Sequence, residues 1–484
     1  MTETSTEKRS ASRLDQFFKI SERGSTMSRE LRGGLVTFVT MAYIIVLNPL
    51  ILGSFTDEGP GAKTDSTGAI LSVPQVAAVT ALVAGVLTIL MGVVANYPFA
   101  MAAGLGINAL VAFTLAPQMT WAAAMGLVLV NGLVVLLLVV TGVRSMVFKA
   151  VPQPLKVGIA VGIGLFIALI GLVDAGFVTP GSGTPVQLGI NGSIASWPTA
   201  VFVVTLVVMA ILVARNVKGA ILLGVLFGTV LAIVVEAIVN AGPSGGEIAT
   251  GWNLGYPALP DNVFGIPDLS LVGEVNFEAW AQIPAITAAL LVFSLVLTDF
   301  FDTIGTMTGL GREAGLADKD GQLPNTGKAL FIDSLGAVAG GAASSSSNTV
   351  YVESAAGIAE GARTGLANVI TGLLFLAAMF FTPLYEVVPI EAAAPALVVV
   401  GALMIRQITE IDFRDFTVAL PAFLTIVVMP FTYSIANGIG AGFVSYVVLQ
   451  AATGRARGVH PLMWIVSVAF VVYFAIGPIQ AVFS

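Results

Sequence analysis

Fifteen apolar runs between Leu35 and Phe483 constrain this chain more than anything else in it. Most approach or reach the roughly 17–25 residues that carry a helix across a bilayer. A soluble chain is about one-quarter charged, whereas 10% of these 484 residues are charged and 56% are hydrophobic. The sequence therefore describes an all-α polytopic membrane protein. Its basic residues set the orientation. Lys8, Arg9, Arg13, Lys19, Arg23, Arg29 and Arg32 precede the first run, and crossings counted from there put every later Lys or Arg on the same side except Lys63. Positive charge marks the cytoplasmic face, so residues 1–32 are predicted to be a cytoplasmic tail at the plasma membrane, with a short amphipathic helix around Leu14 to Ile20.

Residues 241–282 hold no Lys or Arg and carry Glu247, Asp261, Asp268, Glu274 and Glu278, which marks an external linker. Seven runs precede it, and an odd number inverts the second half relative to the first. A 7+7 inverted repeat of about fourteen segments is expected, an arrangement common in secondary transporters. The fifteenth run, within 460–484, is an extra C-terminal hydrophobic segment outside the repeat. Two runs in matching third positions look broken: "NYPFAMAAGLGINALVAF" and, tenth overall, "GGAASSSSNTVYVESAAG". Each is predicted to be a short extended stretch leading into a half-helix, the two meeting near the midplane, where interrupted helices expose backbone groups to a substrate.

A carboxylate at the bilayer centre costs about 2.5–3.5 kcal/mol, so an acid there suggests function. "LTDFFDTIGT" places Asp299 and Asp302 three residues apart on one helix face. Glu353 follows the tenth run's extended stretch, and Asn108 occupies the comparable part of the third. Such a cluster suits a neutral planar ligand with several N–H donors and ring-nitrogen or carbonyl acceptors. Gly104, Val352 and Ser354, in the same two broken runs, complete the candidate substrate contacts. Asp299, Asp302 and Glu353 are the candidate proton-coupling groups. Asp333 is as well suited to a structural role as to a functional one. Asp174, Glu236, Glu386 and Glu391 fall near external helix ends and are expected to be solvated, and Glu360 with Arg363 to form an exposed pair.

Several function classes are excluded. There is no cysteine, so thiolate metal sites are impossible, and the single histidine, His460, near the C-terminal end, removes His-based metal sites and Ser-His-Asp chemistry from consideration. "GQLPNTGKA" has five residues between its glycines where a P-loop has four, and Ala329 where Ser or Thr would hold magnesium. "GLGINA" lacks the third glycine of a dinucleotide fingerprint. Ion-coupled transport remains, without cofactor, enzyme activity or nucleic-acid partner.

The pieces "YPFAMAAGLGINALVAFT", "DFFDTIGTMTGLGREAGLADKDGQLP", "KALFIDSLGAVAGGAASSSSNTVYVESAAGIAEGARTG" and "APALVVVGALM" resemble the AzgA-like purine permeases, a branch of the nucleobase/ascorbate transporter superfamily. The resemblance covers most of the chain. It implies a core domain (33–142 and 283–385, segments one to four and eight to eleven) and a gate domain (150–240 and 390–453, segments five to seven and twelve to fourteen). The substrate is expected between the short strands of segments three and ten. It also implies proton-coupled, elevator-type import of hypoxanthine, guanine or adenine, and a homodimer. Asp299 and Glu353 match the family's purine contacts, Asn108 its third-segment amide, and Asp302 a supporting or proton-path residue. "SSSS" before Asn348 departs from the threonine-richer run expected there. An anion carrier or channel on a related inverted-repeat fold is the alternative.

Overall fold

The computed structural model describes residues 12–54, 62–142, 150–181, 183–244, 250–253, 255, 257–258, 262–316, 323–324, 326–385 and 387–475, without the side chains of 301, 302, 304, 305 and 308. Among the described residues nine helical spans are long and apolar enough to cross a membrane, and four apolar helices are shorter. This is a multi-pass membrane protein.

Helix α1 (Arg13–Phe18) falls where a short amphipathic helix is expected. Then come α2 (Met27–Met41) and α3 (Ile44–Leu52), together one interrupted span, and α4 (Val73–Leu90). Strand β1 (Met101–Ala103) and α5 (Leu105–Leu110) precede α6 (Trp121–Val140) and α7 (Gln153–Asp174). A small hairpin, β2 (Val178–Thr179) and β3 (Gln187–Leu188), leads to α8 (Trp197–Ala214) and α9 (Ala220–Val239). After the short α10 (Ala279–Gln282), α11 (Ala285–Glu313) runs unbroken through "LTDFFDTIGT", so both aspartates lie in a helix interior. It is followed by α12 (Thr326–Ala342), strand β4 (Asn348–Val350) and α13 (Ser354–Ala359). The chain continues with α14 (Gly365–Ala378), α15 (Ile390–Ile405), α16 (Phe416–Phe431), α17 (Ile435–Ala452) and α18 (Pro461–Phe474).

Side-chain caps start several of these helices. Thr26, Thr120, Ser196 and Ser434 accept the first free N–H groups of α2, α6, α8 and α17, groups that have no partner inside a helix. The apolar fill offers no preferred direction of packing in a membrane, so small residues set the close approaches. Helix α7 runs antiparallel to α15 with Gly171 against Ala394 and Gly164 against Gly401.

Both broken segments form as expected. Strands β1 and β4 pair antiparallel in the register Met101↔Val350, Ala102↔Thr349 and Ala103↔Asn348. Non-helical backbone in a bilayer is tolerated only when protein satisfies it, and here the partners can be followed. The Thr88 hydroxyl meets both the N–H (2.9 Å) and the carbonyl (3.1 Å) of Met101. Asn368 Nδ2 donates to the Phe99 carbonyl (2.7 Å), and Ala100 N–H donates to Ser354 Oγ (3.0 Å). Tyr351 N–H reaches the Ala100 carbonyl and Gly104 N–H the Ser347 carbonyl, both at 2.9 Å. The Tyr351 hydroxyl closes the set on the Ala103 carbonyl.

The serine run makes the turn into β4. Ser344 and Ser346 have φ of 55° and 66°, a left-handed conformation costly for residues with a side chain. The turn lies so close to α12 that a Cβ at Gly340 would run into the Ser346 carbonyl. Asn48 of α3 donates to the Ser345 carbonyl at 3.1 Å and holds the turn from the other side.

Four expectations about outlying acids change. Asp174 and Glu391 are buried rather than solvated. Lys63 Nζ lies 3.0 Å from Asp174 Oδ2 with 3% and 5% of the two side chains exposed, because the 62–72 loop and Asn253 fold over these helix ends. Asn253 N–H donates to Glu391 Oε1 at 2.8 Å, and Asn253 Nδ2 donates to the Asp174 carbonyl at 3.3 Å. Glu236 is half-buried and accepts from the N–H groups of Ala241 and Gly242 and from Trp252 Nε1. Glu360 pairs with Arg32 (2.8 Å) and Lys218, whereas Arg363 donates its guanidinium to the Ile358 and Ala362 carbonyls. Glu386 lies outside the described residues.

Candidate functional site

The β1–β4 pair organises the candidate residues from two ends. At the Ala103–Asn348 end, Ser347 is the junction. Its carbonyl accepts from Gly104 N–H, and its hydroxyl donates to Asp299 Oδ2 at 2.9 Å. Asn131, in the middle of α6, donates its amide to that same oxygen at 3.0 Å. Asp299 is 3% exposed, so α11 presents it inward, as an acid in an apolar helix must be. Gly104 opens α5, and its carbonyl accepts from Asn108 N–H at 2.9 Å. The Asn108 side chain is fully buried, and among the described residues neither its oxygen nor its nitrogen finds a hydrogen-bond partner. A buried amide left so costs free energy, which makes Asn108 the group most in need of an incoming donor and acceptor.

Along β4, Thr349 sits two residues beyond Ser347, on the same strand face. It shares a 2.8 Å hydrogen bond with Thr303, and Thr303 Oγ1 donates to Asp333 at 2.9–3.0 Å. Asp333 is therefore a buried anchor of the strand. At the Met101–Val350 end the turn delivers Glu353, which is half-buried. The Tyr43 hydroxyl, at the break between α2 and α3, donates to its carboxylate, and Thr40 Oγ1 donates to its carbonyl at 3.4 Å. Val352 is 62% exposed, while Ser354 is buried with its hydroxyl spent on Ala100 N–H. The structure thus joins Asp299 and Gly104 through Ser347, places Asn108 one turn further, and holds Glu353 at the opposite end of the strand. The side chain of Asp302 lies outside the described residues.

Tyr43 and Asn131 were not singled out from the sequence. Asn131 had a signal, being the one amide in a 20-residue helix that is otherwise apolar or glycine. Tyr43 had none beyond its place in the first apolar run.

Residues 28–478 match the Permease family, Xan_ur_permease. The chain belongs to this permease family. It is a transport protein, not an enzyme. Among its relatives, the guanine/hypoxanthine permease PbuG of Bacillus subtilis is 37% identical over 95% of this chain and 99% of its own. The adenine permease AdeP of Escherichia coli is 36% identical over 95% of each. The transmembrane domain of the cyanobacterial bicarbonate transporter BicA has the same fold, with a TM-score of 0.59 at 17% identity over 85% of this chain and 97% of that domain.

Proposed function

We propose that this permease imports purine nucleobases, hypoxanthine and guanine first and adenine as an alternative, by proton symport. The observation that carries the reading is its end-to-end kinship with guanine/hypoxanthine and adenine permeases. The site chemistry supports it. A purine offers ring N–H donors beside ring-nitrogen or carbonyl acceptors, and the unpartnered amide of Asn108 can meet one of each. Carboxylates at Asp299 and Glu353 accept N–H donors and can bind a proton during the cycle. Gly104, Val352 and Ser354 frame the strand ends, and Asp302 supports the proton path.

In this reading fourteen segments form a 7+7 inverted repeat. Segments one to four and eight to eleven (33–142 and 283–385) make a core that carries the paired strands, and 150–240 with 390–453 make a gate. The core moves as an elevator against the gate and exposes the strand pair to each side in turn. A proton is the coupling ion and no cofactor takes part. The protein works as a homodimer in the plasma membrane with its N-terminus in the cytoplasm, and α18 is an addition outside the repeat.

The bicarbonate-transporter fold also keeps an anion carrier in view. Anion sites present positive groups, whereas the acids at these strand ends disfavour an anion. The test is uptake of radiolabelled hypoxanthine, then adenine, in cells lacking their own purine permeases, with and without a protonophore and competed by guanine, xanthine and uracil. Protonophore-sensitive uptake competed by purines is expected. Anion-driven current with no purine uptake would replace this reading by the carrier.

A further inference from the structure

Among the groups that hold Asp299, two can both donate and accept. Asn131 and Ser347 converge on Oδ2 at 3.0 and 2.9 Å, and two donors on one oxygen fix the plane of the carboxyl and so the direction of the other oxygen. Asn131 itself is fully buried, and its Oδ1 has no partner among the described residues. Its backbone is fixed too, since α6 meets α12 so closely at Gly132 that a Cβ there would strike the Val338 N–H.

We propose that Asn131 is the positioning residue for Asp299, orienting the carboxylate by donating to it and turning its amide to accept when Asp299 carries a proton. The turn sacrifices no bond of Oδ1, and a neutral amide serves both states, which a lysine in its place does not. The proposal rests on the purine-transport reading for its consequence, though not for the contact. The charged groups on the described elements that hold Asp299 can be named. Helix α6 has none, nor has the serine run. Helix α12 brings Asp333, reached through Thr303, one turn further along α11, and α11 carries Asp302, whose side chain is not described. Glu353 faces Tyr43 at the other end of the strands.

Full-length wild type, Asn131→Leu and Asn131→Asp are compared for purine uptake between pH 5 and pH 8, normalised to surface protein. Leu removes the donor and should raise KM about tenfold at every pH. Asp puts a second carboxyl against Asp299, and two carboxyls in contact tolerate only one charge. Its uptake relative to wild type should fall below about one-tenth at pH 7.5 and recover to within about twofold at pH 5. The same proteins, purified in detergent, are melted across that range. The Asn131→Asp midpoint should lie below wild type at pH 8 and converge on it at pH 5. A wild-type KM in Asn131→Leu, or an uptake ratio and midpoint gap for Asn131→Asp that do not vary with pH, would overturn the assignment. Absence of any wild-type purine uptake would instead remove the cargo reading, with the melting curves still deciding the contact.

Discussion

Asp174 and Asp299 are both buried aspartates in membrane helices, and they are satisfied in opposite ways. Asp174 ends α7 and meets the ammonium of Lys63, a group that donates and never accepts. Asp299 lies inside α11 and meets an amide and a hydroxyl, groups that can reverse their role. A partner that is only a cation fixes its carboxylate as an anion. Partners that can reverse let a carboxyl take and release a proton without leaving a buried polar group unmet. The first arrangement suits a joint and the second suits a site that cycles.

The largest expected effect breaks the first arrangement. Lys63→Met leaves the buried Asp174 carboxyl without its cation, and removing one partner of a buried pair costs about 3–5 kcal/mol. The denaturation midpoint in detergent should fall accordingly, while molecules that remain folded keep their substrate affinity. Lys63→Met with Asp174→Leu should restore most of the loss, since replacing both partners of such a pair with apolar groups is often neutral. A double variant as weak as the single would mean that the loop, not the charge pair, holds this end together.

The next effect falls on transport. Asp299→Asn keeps the shape and should lower purine uptake to about one-hundredth of wild type or less, with surface expression and melting close to normal. The contrast between this variant and Lys63→Met, one losing transport and the other stability, is the sharpest form of the comparison. Near-normal uptake by Asp299→Asn would place the chemistry elsewhere, with Glu353 the first candidate. Tyr43→Phe is a smaller change of the same kind. It removes the hydroxyl that donates to Glu353, and one hydrogen bond to a charged group corresponds to about a tenfold rise in KM. An unchanged KM would show that Tyr43 only closes the break between α2 and α3.

The features legible in the sequence are those that a bilayer enforces. Apolar length located the spans. Matched irregularities at "NYPFAMAAGLG" and "SSSSNTVYVE" located two strands that pair, and the cost of an acid in lipid pointed to Asp299. The missed features are contacts between residues far apart in the chain. Asn131 reaches Asp299 across 168 positions and Tyr43 reaches Glu353 across 310. Local pattern carries no trace of either. The expectation of solvated Asp174 and Glu391 failed for a related reason, because an acid at a helix end reads as exposed until a distant loop, here the one bearing Lys63, folds over it.

That loop supplies the smallest prediction. Asp65 anchors it to the start of α6, accepting from the N–H groups of Thr67 (2.8 Å), Ala69 (3.0 Å) and Trp121 (3.0 Å) and from the Thr67 hydroxyl (2.6 Å). Burial pushes its carboxyl up, but these four donors outweigh burial and hold it below the usual carboxylate value. A lowered folded value means that the stabilisation is complete above the unfolded value of about 3.9 and fades as pH falls through the lower folded one. Asp65→Asn should therefore cost about 1 kcal/mol at neutral pH, the difference between charged and neutral acceptors. Its midpoint should converge on wild type only under strong acid, below the range in which Asn131→Asp recovers. If the two variants instead recover over the same pH range, the Asn131→Asp response would reflect general acid effects on the fold, and the distinction between a cycling carboxyl and a fixed one would lose its support.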